Sequence, residues 1–343
     1  MGIQFLPVSI VIIGLNVAGY IEECIKSIRI SEYPDELIEI IYVDGGSSDA
    51  SVLIAGSFKG IKIIELKDPH PTPGKGRNAG YKAAHHSLIQ FLDADTTLEL
   101  EWLKTAVQYI KDDTGAVCGR VIEKYPEKNR YHLIGNIEWN ISAGKGEYGF
   151  SEGPCKTFGG IVLIRKHILE TVNGYDESLV AGEDPDISYR VRQEGYKIYK
   201  LNAGMVHHDI NMNTFRQYFK RAFRSGHAYA EIALRYITQK EKYFARQFFR
   251  IVISAMLPFL VLLSGIATNR TLVGLVVALL LIFRPLIKIL LLKKRYKLVL
   301  SKALLYGLHL SFTVYPQFLG VLRYLFSLAF GFRLQNRGYK PAD

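Results

Sequence analysis

The sequence predicts an α/β protein: a mostly parallel sheet alternating with helices over residues 1–230, then a helical membrane region over residues 231–343. Three observations carry this reading. Short apolar runs rich in β-branched residues alternate with helix-period segments through the first hundred residues, the pattern of βαβ units. Two long apolar runs follow residue 245, each close to the roughly 20 residues that cross a bilayer. Charge divides along the same line: residues 211–343 hold 21 basic and three acidic residues, a net of +18, and residues 1–210 hold 22 basic and 29 acidic, a net of −7.

Val8–Ile13 is a β-rich apolar run ending at Gly14 and reads as a buried parallel strand. Residues 19–30 place Ile21, Cys24, Ile25 and Ile28 at helical spacing. Leu37–Val43 is a second strand, stopped by Asp44-Gly45-Gly46. Residues 49–57 form a short helix and Ile61–Leu66 a third strand. Pro69, Pro71, Pro73 and Gly74 break the chain before a helix from about Arg77 to His86. Leu88–Leu92 is a fourth strand, ended by Asp93-Ala94-Asp95, and Ile161–Ile164 and Ile198–Val206 are further strands. The three cysteines, Cys24, Cys118 and Cys155, are far apart, have no zinc or redox spacing, and give no sign of an oxidising compartment. Met1–Pro7 lacks the basic region and cleavage site of a signal peptide. With 49% hydrophobic residues the chain is neither disordered nor collagen-like.

In the second half, residues 249–268 and 271–292 are joined by Asn269-Arg270, too short a link for a domain, so they form a hairpin of two spans. Lys293-Lys294-Arg295-Tyr296-Lys297 follows and should face the cytoplasm, which leaves the N-terminal domain cytoplasmic on the inner or plasma membrane. A third apolar stretch, 301–331, is broken by His309, Pro316-Gln317 and Arg323 and reads as one kinked span or a pair of interfacial helices. The tail with Arg333, Arg337 and Lys340 argues for a cytoplasmic end. Residues 215–227 interleave Arg216, Lys220, Arg221 and Arg224 with aromatic residues at helical spacing. Beside apolar spans, such a basic helix fits the membrane interface and not nucleic acid.

The residues suited to chemistry gather at strand ends. Asp44 closes the second strand, and Asp93 and Asp95 close the fourth. In open α/β sheets ligands bind in the crevice at those ends. Carboxylates brought together there repel unless a cation joins them, and Asp93-x-Asp95 suits a hard divalent ion that keeps positions for water and phosphate oxygens. A competing reading makes Asp95-Thr96 the cap of a helix running on through Leu103. Gly74-Lys75-Gly76-Arg77-Asn78 opens a helix and offers backbone N–H groups and two cations to a phosphate. Gly159-Gly160 before a strand permits close backbone approach to a ligand. Gly182-Glu183-Asp184-Pro185-Asp186 begins another helix, with Asp184 either its cap or a general base whose pKa is raised by its acidic neighbours. His207 and His208 follow a strand and supply an imidazole for a metal if one is bound nearby.

Taken in order, these stretches resemble a family 2 glycosyltransferase of the GT-A fold. Val8–Ile13, Ile41-Tyr42-Val43-Asp44-Gly45-Gly46-Ser47-Ser48-Asp49, Gly76-Arg77-Asn78-Ala79-Gly80, Phe91-Leu92-Asp93-Ala94-Asp95-Thr96 and Gly182-Glu183-Asp184 carry the resemblance, which covers about residues 7–230. It implies a Rossmann-like catalytic domain, a nucleotide-diphosphate sugar donor and a divalent metal, Mg²⁺ or Mn²⁺. Carried over, Gly14 and Asn16 lie in the loop that holds the nucleotide, Asp44 contacts the base, and Gly74, Arg77 and Asn78 complete the donor site. Asp93 and Asp95 organise the metal and diphosphate, with His207 as the metal's imidazole and His208 as the alternate register. Asp184 deprotonates the acceptor hydroxyl, with Glu183, Gly159 and Gly160 on the acceptor side, and the sugar inverts.

Two departures qualify the resemblance. Gly45 stands where the family often has a second acid, so base or ribose contacts differ there. Gln217-Tyr218-Phe219-Lys220-Arg221 lacks the Gln-x-x-Arg-Trp motif of processive synthases, which favours transfer of one sugar. The C-terminal spans imply a lipid-linked or glycolipid acceptor, as in cell-surface polysaccharide or glycolipid assembly. The other classes weighed are a nucleotidyltransferase acting on a sugar phosphate, which would release pyrophosphate, and a non-catalytic membrane scaffold of the same fold.

Overall fold

The computed structural model describes residues 4–111, 113–141, 152–287 and 289–331. They form two compact units. Residues up to 125 together with 152–210 make one, and residues 126–141 together with 211–331 make the other. The division between the units falls at 210, and the basic helix packs with the C-terminal helices.

The first unit is built on one sheet. β1 (Val8–Gly14), β2 (Ile38–Asp44), β3 (Ile61–Glu65) and β4 (Leu88–Asp93) are parallel in the order β3-β2-β1-β4. The Val and Ile runs of β1, β2 and β4 are buried on both faces, as a helix-covered parallel sheet requires, while β3 at the edge is only partly covered. The register aligns Gly14 with Asp44 and Ile13 with Asp93, so the motif-bearing ends finish at one level. α1 (Ile21–Arg29), α2 (Ser51–Gly56) and α3 (Pro73–Ala83) make the crossovers. α3 starts four residues earlier than expected: the Thr72 hydroxyl accepts from Lys75 N–H and Pro73 presets the first helical position. Gly80 lets α3 close on β1, since a Cβ there would stand 2.1 Å from Val11 Cγ1.

Beyond β4 the sheet becomes mixed. β5 (Thr96–Leu98), β6 (Thr114–Glu123), β7 (Gly153–Cys155), β8 (Val162–Arg165) and β9 (Lys197–His208) complete it. β8 runs antiparallel to β4 and β6, while β9 is parallel to β6 and antiparallel to β5 and β7. Residues 96–98 are therefore a strand, and the next helix, α4 (Trp102–Ala106), is capped at Glu101, so Asp95 caps no helix. The Trp102 indole donates to buried Gln90 Oε1 at 2.8 Å, fixing α4 against β4.

In the second unit, α5 (Arg130–Asn140) contributes Ile137 to a core with Leu292, Leu298, Ala303 and Tyr306. α6 (Lys166–Thr171) and α7 (Glu183–Gln193) belong to the first unit. α8 (Phe215–Arg235) opens with a capping box between Thr214 and Gln217. α9 (Ala245–Ala267), α10 (Thr271–Ile287), α11 (Ile289–Tyr296), α12 (Leu300–Phe312) and α13 (Val314–Phe330) follow. α8 and α13 meet at Gly226 and Gly320; a Cβ on Gly226 would stand 1.9 Å from Gln317 O, and one on Gly320 2.0 Å from Phe223 O. Gly265 and Gly274 allow the same close approach of α9 and α10. His309 bridges three helices, with Nε2 2.9 Å from Glu138 Oε1 and Nδ1 2.9 Å from the Tyr218 hydroxyl.

Among the described residues one helix, α9, is long and apolar enough to cross a membrane, with 23 residues at mean hydropathy 2.1. α10 is apolar too, and residue 288, between α10 and α11, lies outside the described residues, so the expected second span over 271–292 is described only in part. The stretch 301–331 is two helices meeting at Thr313, with Pro316 in the first turn of α13. The tail basic residues, Arg333, Arg337 and Lys340, lie outside the described residues.

Candidate active site

A crevice opens where β1, β2 and β4 end. Gly14, Gly45, Pro71, Thr72, Gly76, Asp93 and Asp95 are among its lining.

On the β1–β2 side, side chains shape the loops. Asp44 is 1% exposed and accepts four hydrogen bonds: Tyr42 Oη (2.8 Å) and Ser47 Oγ (2.5 Å) on Oδ1, Gly46 N (2.8 Å) and Ser47 N (2.6 Å) on Oδ2. A carboxylate has about four acceptor positions. Its capacity is filled by Tyr42 of its own strand and by Gly46 and Ser47 of the loop that follows. Asn16 holds a left-handed φ of 53°, and its Oδ1 accepts from Ser48 N at 2.8 Å while its own N–H donates to Ser47 Oγ at 2.8 Å. The two loops are thereby stitched together. Gly14 is obligatory for this packing, because a Cβ would stand 2.7 Å from Val17 Cγ2.

Arg77 lies at the centre of the acidic side. It is 2% exposed, with Nη2 3.0 Å from Asp93 Oδ1 and Nη1 3.5 Å from both Glu183 Oε1 and Asp184 Oδ1. Its guanidinium also lies 5.4 Å from the centre of the Tyr175 ring. Three carboxylates surround this cation, so it organises the acids and is not the exposed phosphate ligand the Gly74–Asn78 stretch suggested. Gly160 is the space that admits it: a Cβ there would stand 2.0 Å from Arg77 Nη2, whereas Gly159 has open room. Asn78 is also turned to structure, since both of its amide protons are engaged, by Tyr175 O and Glu177 Oε1 at 2.8 Å each, and Oδ1 accepts from Tyr175 N at 2.8 Å. Gly74 packs 3.3–3.4 Å, in Cβ terms, from Tyr175 Cβ and Asp176 O.

α7 starts at Glu183 behind Gly182, whose φ is 94°, so Asp184 is a first-turn residue and not the cap. Ser188 donates to Asp184 O at 2.6 Å and accepts from Phe158 N at 3.1 Å, tying the Gly159–Gly160 segment to the helix. Asp184 Oδ1 is buried without a hydrogen-bond partner. Burial raises the Asp184 pKa to about 8; Arg77 opposes the rise, and Glu183 and Asp93 add to it. Asp93 is also raised, by burial first, with Arg77 opposing and Asp95 adding.

The histidines separate by strand alternation. His207 pairs with Thr97 across the sheet, its Nε2 2.6 Å from Glu99 Oε1. His208, opposite Thr96, places Nε2 3.4 Å from Asp95 Oδ1. The imidazole beside the Asp95 carboxylate is therefore that of His208 and not that of His207, because successive strand residues face opposite sides. Residues the sequence reading missed include Tyr175, Ser188 and the Ser47–Ser48 pair. Only the serines had a signal, following Asp44 in a turn.

Residues 9–172 match the family model of Glycosyl transferase family 2. The glycosyltransferase AglE of Haloferax volcanii is 26% identical over 229 residues, covering 64% of this chain and 71% of that protein. The O-antigen chain rhamnosyltransferase RfbN of Salmonella typhimurium is 30% identical over 204 residues, 57% of this chain and 63% of that protein. Among solved structures, a mannosyltransferase from Pyrobaculum calidifontis, in complex with GDP-Man and Mn²⁺, superposes with a TM-score of 0.61 at 15% identity over 94% of this chain and 88% of that one.

Proposed function

The chain belongs to glycosyl transferase family 2, through residues 9–172 and a mixed α/β sheet of the GT-A type, and from that premise we propose that it transfers one sugar from a nucleotide-diphosphate sugar to a lipid-linked or glycolipid acceptor at a membrane. The observation that carries the reading is the crevice at the strand ends, lined by Asp93 and Asp95, with Asp95 beside His208 and Asp93 ion-paired to Arg77, which also reaches half-buried Asp184.

A divalent cation fits the Asp95–His208 pair: a carboxylate oxygen and an imidazole nitrogen 3.4 Å apart, both largely buried. One carboxylate with one imidazole suits Mn²⁺ better than Mg²⁺. Such an ion neutralises a diphosphate leaving group. Asp93, held by Arg77, buttresses this pair. On the other side, Asp184 takes the proton of the acceptor hydroxyl as that oxygen bonds to the anomeric carbon and the bond to the diphosphate breaks. A single in-line displacement inverts the configuration, and the proton ends on the Asp184 carboxyl. Arg77, 3.5 Å away, is the counter-charge of that carboxyl.

Membrane association is supported by α9 and by exposed large apolar side chains on α9, α10, α12 and α13, among them Phe259, Leu263, Leu272, Leu308 and Phe326. The basic residues of α8 suit an anionic surface. The test is to incubate membranes containing the protein with a panel of nucleotide sugars and score nucleoside diphosphate release. Release that depends on Mn²⁺ or Mg²⁺ is expected. Full release in excess chelator overturns the metal, and pyrophosphate as product overturns sugar transfer.

A further inference from the structure

The strand-end crevice has two ends of different chemistry. The strand order β3-β2-β1-β4 separates them: Asp93 closes β4 with Asp95 just beyond, and Leu66 follows β3 at the other edge. Toward the β3 edge the lining side chains Leu15, Val17, Leu66 and Pro71 are all apolar. We propose that Gly45 opens a slot one atom thick at this end, between Leu15 and Pro71, which takes the flat base of the donor nucleotide edge first, and that Lys75 is the positioning residue for its outer wall.

Two observations point to this. Gly45 directly follows β2 and lines the crevice. A Cβ on it would stand 3.4 Å from Leu15 Cβ, 3.6 Å from Pro71 Cβ and 3.3 Å from Gly14 O. A single carbon at that point therefore touches both walls at van der Waals distance. An aromatic ring entering by its edge is one atom thick and meets the same two walls. A saturated sugar with its hydroxyls is thicker. An acidic side chain, which the resemblance often places at this position, would occupy the slot itself. The second observation is the brace behind Pro71. Lys75 Nζ donates to Asp68 Oδ2 at 2.5 Å and to His70 O at 3.0 Å, and Lys75 N–H donates to the Thr72 hydroxyl at 3.2 Å. One residue of α3 thus holds both chain neighbours of Pro71. The Lys75 and Asp68 side chains are 24% and 31% exposed, so the pair is shielded more than a surface ion pair is. The proposal rests on the donor reading above, because it says where the base of that donor lies.

The experiment is calorimetric titration of the full chain in Mg²⁺ with UDP, dTDP and GDP, and with inorganic pyrophosphate, which has no base. The wild type should bind at least one nucleoside diphosphate about tenfold or more tightly than pyrophosphate, the size of one stacked base. Gly45→Ala puts a methyl group in the slot. It should weaken that nucleotide about tenfold and leave pyrophosphate as in the wild type. Gly45 has no left-handed φ, so its backbone accepts alanine. Lys75→Met and Asp68→Asn should each weaken the same nucleotide about threefold to tenfold, again sparing pyrophosphate, and Lys75→Arg should recover part of the loss. These variants decide if Gly45→Ala fails to fold. Wild-type nucleotide affinity in Gly45→Ala overturns the proposal. So does equal loss of pyrophosphate and nucleotide in Lys75→Met and Asp68→Asn, or a wild type that binds pyrophosphate as tightly as every nucleotide. A wild type that binds no nucleoside diphosphate would instead overturn the donor reading beneath it.

Discussion

Asp184 is held between opposing influences, and its chemistry follows from their balance. Burial disfavours its charge, Arg77 favours it, and the result is a carboxyl raised to about 8. A base must be ionised to act. Turnover should therefore rise with pH and level off above about 8, falling toward tenfold per unit below it. Stability runs the other way. The folded pKa lies above the ordinary carboxylate value, so the unfolded chain ionises first, and this group costs stability progressively as pH rises from about 4 to about 8. Asp184→Asn should thus melt higher than wild type at pH 7.5 and equal to it near pH 4. Identical melting shifts at both values would show that the carboxyl is not held protonated. At this scale the sequence revealed which acids mattered but not their partners. Asp93, Asp95 and Asp184 were legible from their places at element ends. That Arg77 would be buried among three acids was not, because the contacts join positions 77, 93 and 183–184 from three separate elements with 160 from a loop.

Elements decide which side chains meet. The alternation of β9 and its register with β5 put His208, and not His207, beside Asp95. His208→Ala should lower Mn²⁺ affinity at least about tenfold, the lower end for disturbing a metal's surroundings. His207→Ala should leave it nearly unchanged, and calorimetric titration of Mn²⁺ in the presence of nucleoside diphosphate distinguishes the two. The choice was open in the sequence because two adjacent histidines have no preferred face until the partner strand is known. That strand, β5, is three residues long and carries no periodic signal. The same lack hid β6 and α5. Three of the parallel strands, β1, β2 and β4, were legible because burial on both faces makes them continuous apolar runs. Gly160 shows how closely segments are fitted. Gly160→Ala places a methyl against Arg77 Nη2, and should cost about 1–3 kcal/mol of stability and lower turnover more than nucleotide binding. Wild-type turnover in this variant would mean that Arg77 need not hold its place.

For the whole molecule, the charge split and the apolar second half were visible in composition, but the unit boundary was not. α8 is amphipathic enough to read as a surface helix, and only the Gly226–Gly320 contact with α13 shows that it is a core element of the helical unit. The account predicts that the full chain stays with membranes through a high-salt wash and an alkaline carbonate wash. Attachment by the basic residues alone, each worth about 1 kcal/mol near an anionic surface, would be lost at high salt. Release by salt would contradict insertion of α9.

The central claim is the division of labour between the acids, with Asp184 acting on the acceptor and Asp95 holding the donor through a metal. The most direct test pairs calorimetric binding of the nucleotide, in Mn²⁺, with turnover for two variants. Asp184→Asn should bind nucleotide nearly as wild type and lose roughly 10²–10⁴-fold in turnover, the usual contribution of a general base. Asp95→Ala should lose nucleotide binding as well. Loss of binding in Asp184→Asn with binding retained in Asp95→Ala would contradict the account.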